Sequence, residues 1–168
     1  FNGETYTAIS VDELESALSI KNLKRFAADY DDPVKWDLSK ESPTGKKIAV
    51  VGAGPAGATA AFELAKKGHE VVVYEALPEV GGMLRVGIPS YRLPVDVIDE
   101  EYSILEKLGV EIKLNTKVGE DISFADLENN YDSVFIAAGA HKSIMLPLEG
   151  SDLDGILPGT DILRKAGL

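Results

Sequence analysis

Apolar and polar positions along this chain alternate between the spacing of strands and the spacing of helices. Two short β-branched runs, one ending at Val51 and one at Tyr74, flank an Ala-rich stretch between Ala58 and Lys67. Continuous apolar runs of this length predict buried strands at 47–52 and 70–75, and the Ala-rich stretch predicts a helix over 55–67. Gly68 follows Lys66 and Lys67, where a C-cap glycine belongs. Further on, Val97, Ile98, Ile104, Leu105 and Leu108 recur at helical spacing, which predicts a helix over 95–108 that Gly109 ends. A strand over 110–114 and a short helix over 123–129 follow, with Ser123 as N-cap and Asp126 three residues later. Residues 133–137 read as a buried strand that stops at Gly139. Strands alternating with helices predict an α/β fold with a parallel sheet and helices on both faces.

The flanking segments are patterned differently. Residues 11–17 and 20–30 read as two short helices, the first with Ser10 as N-cap and Glu13 as its capping-box partner. Leu23, Phe26, Ala27 and Tyr30 form one apolar face of the second, and Asp31-Asp32-Pro33 ends it. Residues 34–45 read as a polar linker. A helical segment with its linker over 1–44 and an α/β domain over 45–168 are therefore expected. The Gly- and Pro-rich stretch 78–94 reads as a long loop without obvious helix or strand, a length that usually signals function or mobility. The tail 143–168 reads as loop with a short helix over 161–166.

The junction of the first strand and helix carries Gly52, Gly54 and Gly57 in G-x-G-x-x-G spacing, the strand–turn–helix context of a Rossmann-like dinucleotide site. Gly52 permits the tight turn, Gly54 lets backbone approach a pyrophosphate, and Gly57 lets helix and strand pack closely. The helix N-terminus offers N–H groups and partial positive charge to the phosphates. Glu75, at the end of the second strand, is placed to accept hydrogen bonds from an adenosine ribose, and its charge disfavours a 2′-phosphate. This much fits NAD and FAD equally.

Composition narrows the alternatives. The net charge is −11 over 168 residues, which argues against nucleic acid. Without cysteine the chain holds no disulfide, no thiolate-ligated iron–sulfur cluster and no redox dithiol. No apolar run reaches the roughly 18 residues of a membrane span. The start at Phe1 has neither an initiator Met nor a signal-peptide pattern, so a fragment of a longer, cytoplasmic protein is expected. No His/Asp/Glu cluster has metal-ligand spacing.

The segment Gly81-Gly82-Met83-Leu84-Arg85-Val86-Gly87-Ile88-Pro89-Ser90-Tyr91-Arg92-Leu93-Pro94 resembles the flavoprotein half of the glutamate synthase small-subunit family, to which the flavin domain of dihydropyrimidine dehydrogenase is related. The likeness runs over residues 46–140 and includes Ala137-Ala138-Gly139. It implies FAD at the glycine motif, with Gly52, Ala53, Gly54, Pro55 and Ala56 around the pyrophosphate and Glu75 on the ribose. It also implies Gly82 and Met83 on the path toward the flavin, Arg92 near the phosphates, Val118 meeting adenine through its backbone, and Ala138 and Gly139 beside the FAD. The stretch from Ile20 to Asp29 resembles the segment that follows the family's cysteine-rich, cluster-binding region, so iron–sulfur clusters are expected only outside this chain. The resemblance further implies an NAD(P)H domain inserted after Leu168, hence a fragment incomplete for catalysis. The parent would be an NAD(P)H-dependent flavin oxidoreductase passing electrons through flavin to iron–sulfur centres or a partner subunit.

The residues themselves leave some roles open. Arg92 suits a phosphate, or an ion pair with a carboxylate between Asp96 and Glu101. Met83 fits core packing or cofactor contact. His141 reads as a solvated loop residue more readily than a cleft residue, and no catalytic acid or base is singled out. An NAD-binding Rossmann protein leaves the segment 81–94 unexplained. A subunit-docking module with a structural or lost nucleotide is the non-enzymatic alternative.

Overall fold

The computed structural model describes residues 18–32 and 35–168, which fall into one unit ending at Asp37 and another running from Leu38 to Leu168. In the first unit, α1 (Ile20–Asp29) realises the helix expected there. Its Phe26 and Tyr30 rings stack with centroids 4.4 Å apart, Arg25 pairs with Asp29 one turn on, and Trp36 donates its indole N–H to Asp31 at 2.7 Å. The helix expected over 11–17, with Ser10 and Glu13, lies outside the described residues.

In the second unit the elements run β1 (Lys47–Val51), α2 (Pro55–Lys66), β2 (Glu70–Tyr74), α3 (Met83–Gly87), α4 (Val95–Lys107), β3 (Glu111–Lys113), α5 (Phe124–Asn130), β4 (Ser133–Ile136) and α6 (Gly159–Gly167). The four strands form one parallel sheet in the order β3-β2-β1-β4, with Ile48 beside Val71 and Ser133, and Val73 beside Ile112. Side chains alternate across the sheet. Ala49, Val72 and Tyr74 pack against Leu127 of α5 on one face, while Val50 on the other approaches Gly57 of α2. Helices therefore cover both faces, as the alternation of elements predicts. Ser123 and Asp126 form the expected capping box at the start of α5.

Four expectations need correction. Residues 38–45 are not a free linker: Glu41 N–H donates to Lys66 O, Thr44 N–H to Gly68 O, and the Lys40 ammonium to Leu108 O. They satisfy carbonyls at or just beyond the C-terminal ends of α2 and α4, which have no intrahelical partner. Within the stretch 78–94, residues Met83–Gly87 form α3. β4 is not a buried strand, because it closes one edge of the sheet and leaves Phe135 and Ile136 exposed. Val97 also faces outward, and the inner side of α4 is instead completed by Tyr102.

Candidate functional site

The sheet order places β1 where the chain changes direction. β2 and β3 extend to one side of it, and β4 returns on the other. In parallel sheets a crevice opens at such a point, outside the carboxyl ends of the strands. Here it is a cleft of about 630 Å³. The loops after the four strands line it in the order of the strands. Thr116, Lys117 and Val118 follow β3, Glu75 follows β2, Gly52, Gly54, Pro55 and Ala56 follow β1, and Ala138, Gly139 and His141 follow β4.

The three motif glycines are required for different reasons. Gly52 has φ +104°, and a Cβ there would stand 2.4 Å from Ala137 O. A Cβ on Gly57 would lie 1.9 Å from Gly52 O and 3.3 Å from Val50 Cγ1. Both positions are closed by the fold itself. Gly54, the N-cap of α2, has φ −77° and ψ −179°, open to any residue, and a Cβ there meets nothing within 4 Å. Gly54 lines the cleft. Pro55 occupies the first helical turn, where its missing N–H costs nothing, and the helix end presents its donors with the positive end of the dipole.

Glu75 is buried at 6% exposure, and both carboxylate oxygens are engaged. Oε2 accepts from Ala53 N–H at 2.6 Å and Oε1 from Leu77 N–H at 2.8 Å. A carboxylate offers about four acceptor sites, so about two remain for hydroxyls of a ligand. Glu75 thus ties β2 to the glycine turn in addition to facing the cleft. Ala53, expected around a pyrophosphate, is itself 1% exposed and does not line the cleft, because its N–H is turned to Glu75.

Gly82 and Met83 also line the cleft. Gly82 has φ +51°, and a Cβ there would stand 2.9 Å from Gly54 Cα. The pair Gly81-Gly82 therefore brings backbone against the glycine turn, an approach locked by Gly81 N–H donating to Ala53 O at 2.9 Å. Arg92 is not brought to the cleft. The chain turns at Pro89, whose carbonyl accepts from both Arg92 and Leu93 N–H, and the Arg92 side chain is exposed. One of the α4 carboxylates considered for Arg92, Asp99, pairs with Arg85. The Arg85 side chain, 4% exposed, bonds Asp99 and donates to Val80 O at 3.0 Å.

Several cleft residues escaped sequence reasoning. Thr116 and Lys117 lie at the carboxyl end of β3, where the strand-end rule would have found them. His141, expected in solvent, and Arg164 of α6 also line the cleft. Nothing local in sequence marks Arg164. It arrives because α6 packs on α3, its Gly167 lying against the Arg85 carbonyl. Tyr102 is buried, and its hydroxyl has no hydrogen-bond partner among the described residues. Burial, reinforced by the Glu75 carboxylate and opposed by Arg85, pushes it up to about 12. Among the described residues no group of His, Asp and Glu is placed to hold a metal, and no helix is long and apolar enough to cross a membrane.

A parallel sheet with a glycine turn at its switch point and an acid closing the next strand defines the Rossmann type of nucleotide-binding α/β fold. The family model described as pyridine nucleotide-disulphide oxidoreductase matches residues 46–166, and the chain belongs to that family of oxidoreductases. It is 42% identical over 92% of its length to the beta subunit of NADP(+)-dependent formate dehydrogenase from Moorella thermoacetica, covering 26% of that protein. It is 40% identical over 83% of its length to the NADPH glutamate synthase small chain of Escherichia coli, covering 30% of it. The chain thus spans between a quarter and a third of these relatives. A solved structure, Mycobacterium tuberculosis FprA in complex with NADPH, matches 73% of the chain and 28% of FprA with a TM-score of 0.65 and 29% identity.

Proposed function

We propose that the cleft binds FAD and that residues 45–168 are part of the flavin domain of an NAD(P)H-dependent oxidoreductase resembling the glutamate synthase small subunit, with 1–44 as a helical lead-in. The observation that carries this is Gly54, a cleft-lining residue of the turn whose lack of a side chain neither its backbone angles nor its neighbours require. The α2 N-terminus with Gly54 and Ala56 would hold the pyrophosphate. Glu75 would accept from the ribose hydroxyls, and Val118 and Thr116 would border the adenine. Met83, Ala138 and Gly139 would border the flavin half. When bound, flavin accepts a hydride and hands electrons on singly. This chain's residues supply placement and charge, and none is assigned as acid or base.

Similarity to proteins named as small or beta subunits supports a partner subunit; in this proposal that partner, or iron–sulfur centres outside this chain, would accept the electrons. The NAD(P)H site would also lie outside it, and a cytoplasmic location, checked by cell fractionation, is part of the proposal. The test is titration of the chain with FAD and with NAD, followed by quenching of flavin fluorescence and by calorimetry. Preference for FAD is expected. Preference for NAD, or a folded chain that takes up no FAD, would overturn the proposal.

A further inference from the structure

We infer that Arg164, held by His141, is a second anchor for the bound dinucleotide and donates hydrogen bonds to an oxygen of its flavin half. The inference rests on the cleft holding FAD, and three observations lead to it.

The first is position. The strand order sets an order along the cleft: Val118 and Lys117 after β3, Glu75 after β2, the glycine turn after β1, and Gly139 and His141 after β4. A ribose on Glu75 and a pyrophosphate at the α2 N-terminus fill the β2 and β1 stations. The remaining half of the dinucleotide then lies on the β4 side. Arg164 is on that side, since its Nη2 donates to the His141 carbonyl at 2.8 Å and stands 3.3 Å from His141 Nδ1.

The second is an unused donor. Arg164 Nε is buried and has no hydrogen-bond partner among the described residues, although the side chain lines the cleft. A buried donor left unpaired is costly, and a guanidinium, with its planar set of five donors, is suited to a planar acceptor edge. The flavin ring presents carbonyl oxygens and a ring nitrogen along such an edge.

The third is support. Ser143, two residues after His141, bonds the Thr160 hydroxyl in the first turn of α6, and Gly167 at the other end of α6 packs against the Arg85 carbonyl of α3. The helix that carries Arg164 is thereby fixed at both ends, one to the loop after β4 and one to the helix that brings Met83 to the cleft. In a chain of net charge −11, a cation held in this way is a directed feature.

Arg164→Ala and Arg164→Lys, titrated with FAD and with ADP, test the inference. ADP carries the adenosine and phosphates and lacks the flavin half. Arg164→Ala is expected to weaken FAD about 10-fold or more while ADP affinity changes less than about 2-fold, a charged hydrogen bond being lost only with the flavin half. Arg164→Lys keeps the charge and stem but loses the fork, and is expected to fall between wild type and Ala. If Arg164→Ala does not fold, as judged by its urea transition, Arg164→Lys decides by the same FAD-to-ADP comparison. Equal losses for FAD and ADP would place Arg164 at the phosphates and overturn the inference, as would unchanged FAD affinity. A wild-type chain that binds ADP but gains nothing from the flavin half refutes the FAD proposal itself, whereas wild-type preference for FAD with an indifferent Arg164 refutes only the anchor.

Discussion

Replacing Gly54 by Ala separates what the fold needs from what a ligand needs. The backbone at Gly54, φ −77° and ψ −179°, is open to Ala, and the added methyl meets no atom within 4 Å. Two small effects on stability oppose each other. The less flexible unfolded chain gains about 0.4–1 kcal/mol, and Ala is a worse N-cap than Gly by about 0.5–1 kcal/mol. The net change is expected within about 0.5 kcal/mol, a shift in urea midpoint near the limit of measurement. The methyl does add bulk in open space at a residue that lines the cleft, where a pyrophosphate is proposed to approach the backbone. Displacing that contact by about an ångström is expected to cost about 1.5–3 kcal/mol of binding, roughly a 10- to 100-fold weaker FAD. Gly57→Ala is the comparator. A helix interior gains about 1 kcal/mol from Gly to Ala. The new Cβ, however, stands 1.9 Å from Gly52 O. Overlap with backbone wins, and a net loss of about 2–3 kcal/mol is expected. Urea unfolding and FAD titration of both variants form the assay. If Gly54→Ala destabilised the chain as much as Gly57→Ala, or bound FAD like wild type, the division of labour among the glycines would be wrong.

Three further outcomes follow from buried or clamped polar groups. Tyr102→Phe removes the unpartnered buried hydroxyl and is expected to raise stability by about 1 kcal/mol at neutral pH, read from urea unfolding. It should also lessen the loss of stability expected as pH rises from 10 toward about 12, because the raised folded pKa of Tyr102 holds a proton the unfolded chain releases, while Tyr131, Lys46 and Lys47, also raised, keep their share of that loss. Asp99→Ala leaves the Arg85 guanidinium buried with Val80 O, and Glu79 at 3.9 Å as its remaining acid. A loss of about 1–2 kcal/mol is expected, limited by the solvent exposure of Asp99, and an unchanged urea midpoint would refute it. Asp132 accepts from the Lys46 ammonium at 2.7 Å and from Lys47 N–H at 2.8 Å, which hold its carboxyl below the ordinary 3.8. A lowered folded pKa gives stability that is present above 3.8 and is lost as pH falls through the folded value. Asp132→Asn should therefore flatten the acid limb of the stability profile, measured by thermal unfolding between pH 5 and about 2.

The sequence by itself determined the fold class and the turn at its centre. Strand and helix periods differ, β-branched runs cannot hide inside an Ala-rich helix pattern, and G-x-G-x-x-G between them marks a strand–turn–helix. These are local signals, and β1, α2, β2 and α5 stand close to where the pattern puts them. The end of the linker was not legible, because residues 40, 41 and 44 are held by carbonyls of α2, α4 and Gly68, distant in sequence. Nor was α3, whose five residues are too short for a period to show. Only the tertiary structure decided that β4 is an edge, that Ala53 turns its N–H to Glu75, that Arg85 takes Asp99, one of the carboxylates considered for Arg92, and that Arg164 reaches the cleft. Each depends on which partner arrives from elsewhere in the chain. Sequence spacing reports the neighbours of a residue along one element. The cleft is assembled from the ends of four strands and from residues of three helices, α2, α3 and α6, and its charges were set by that assembly.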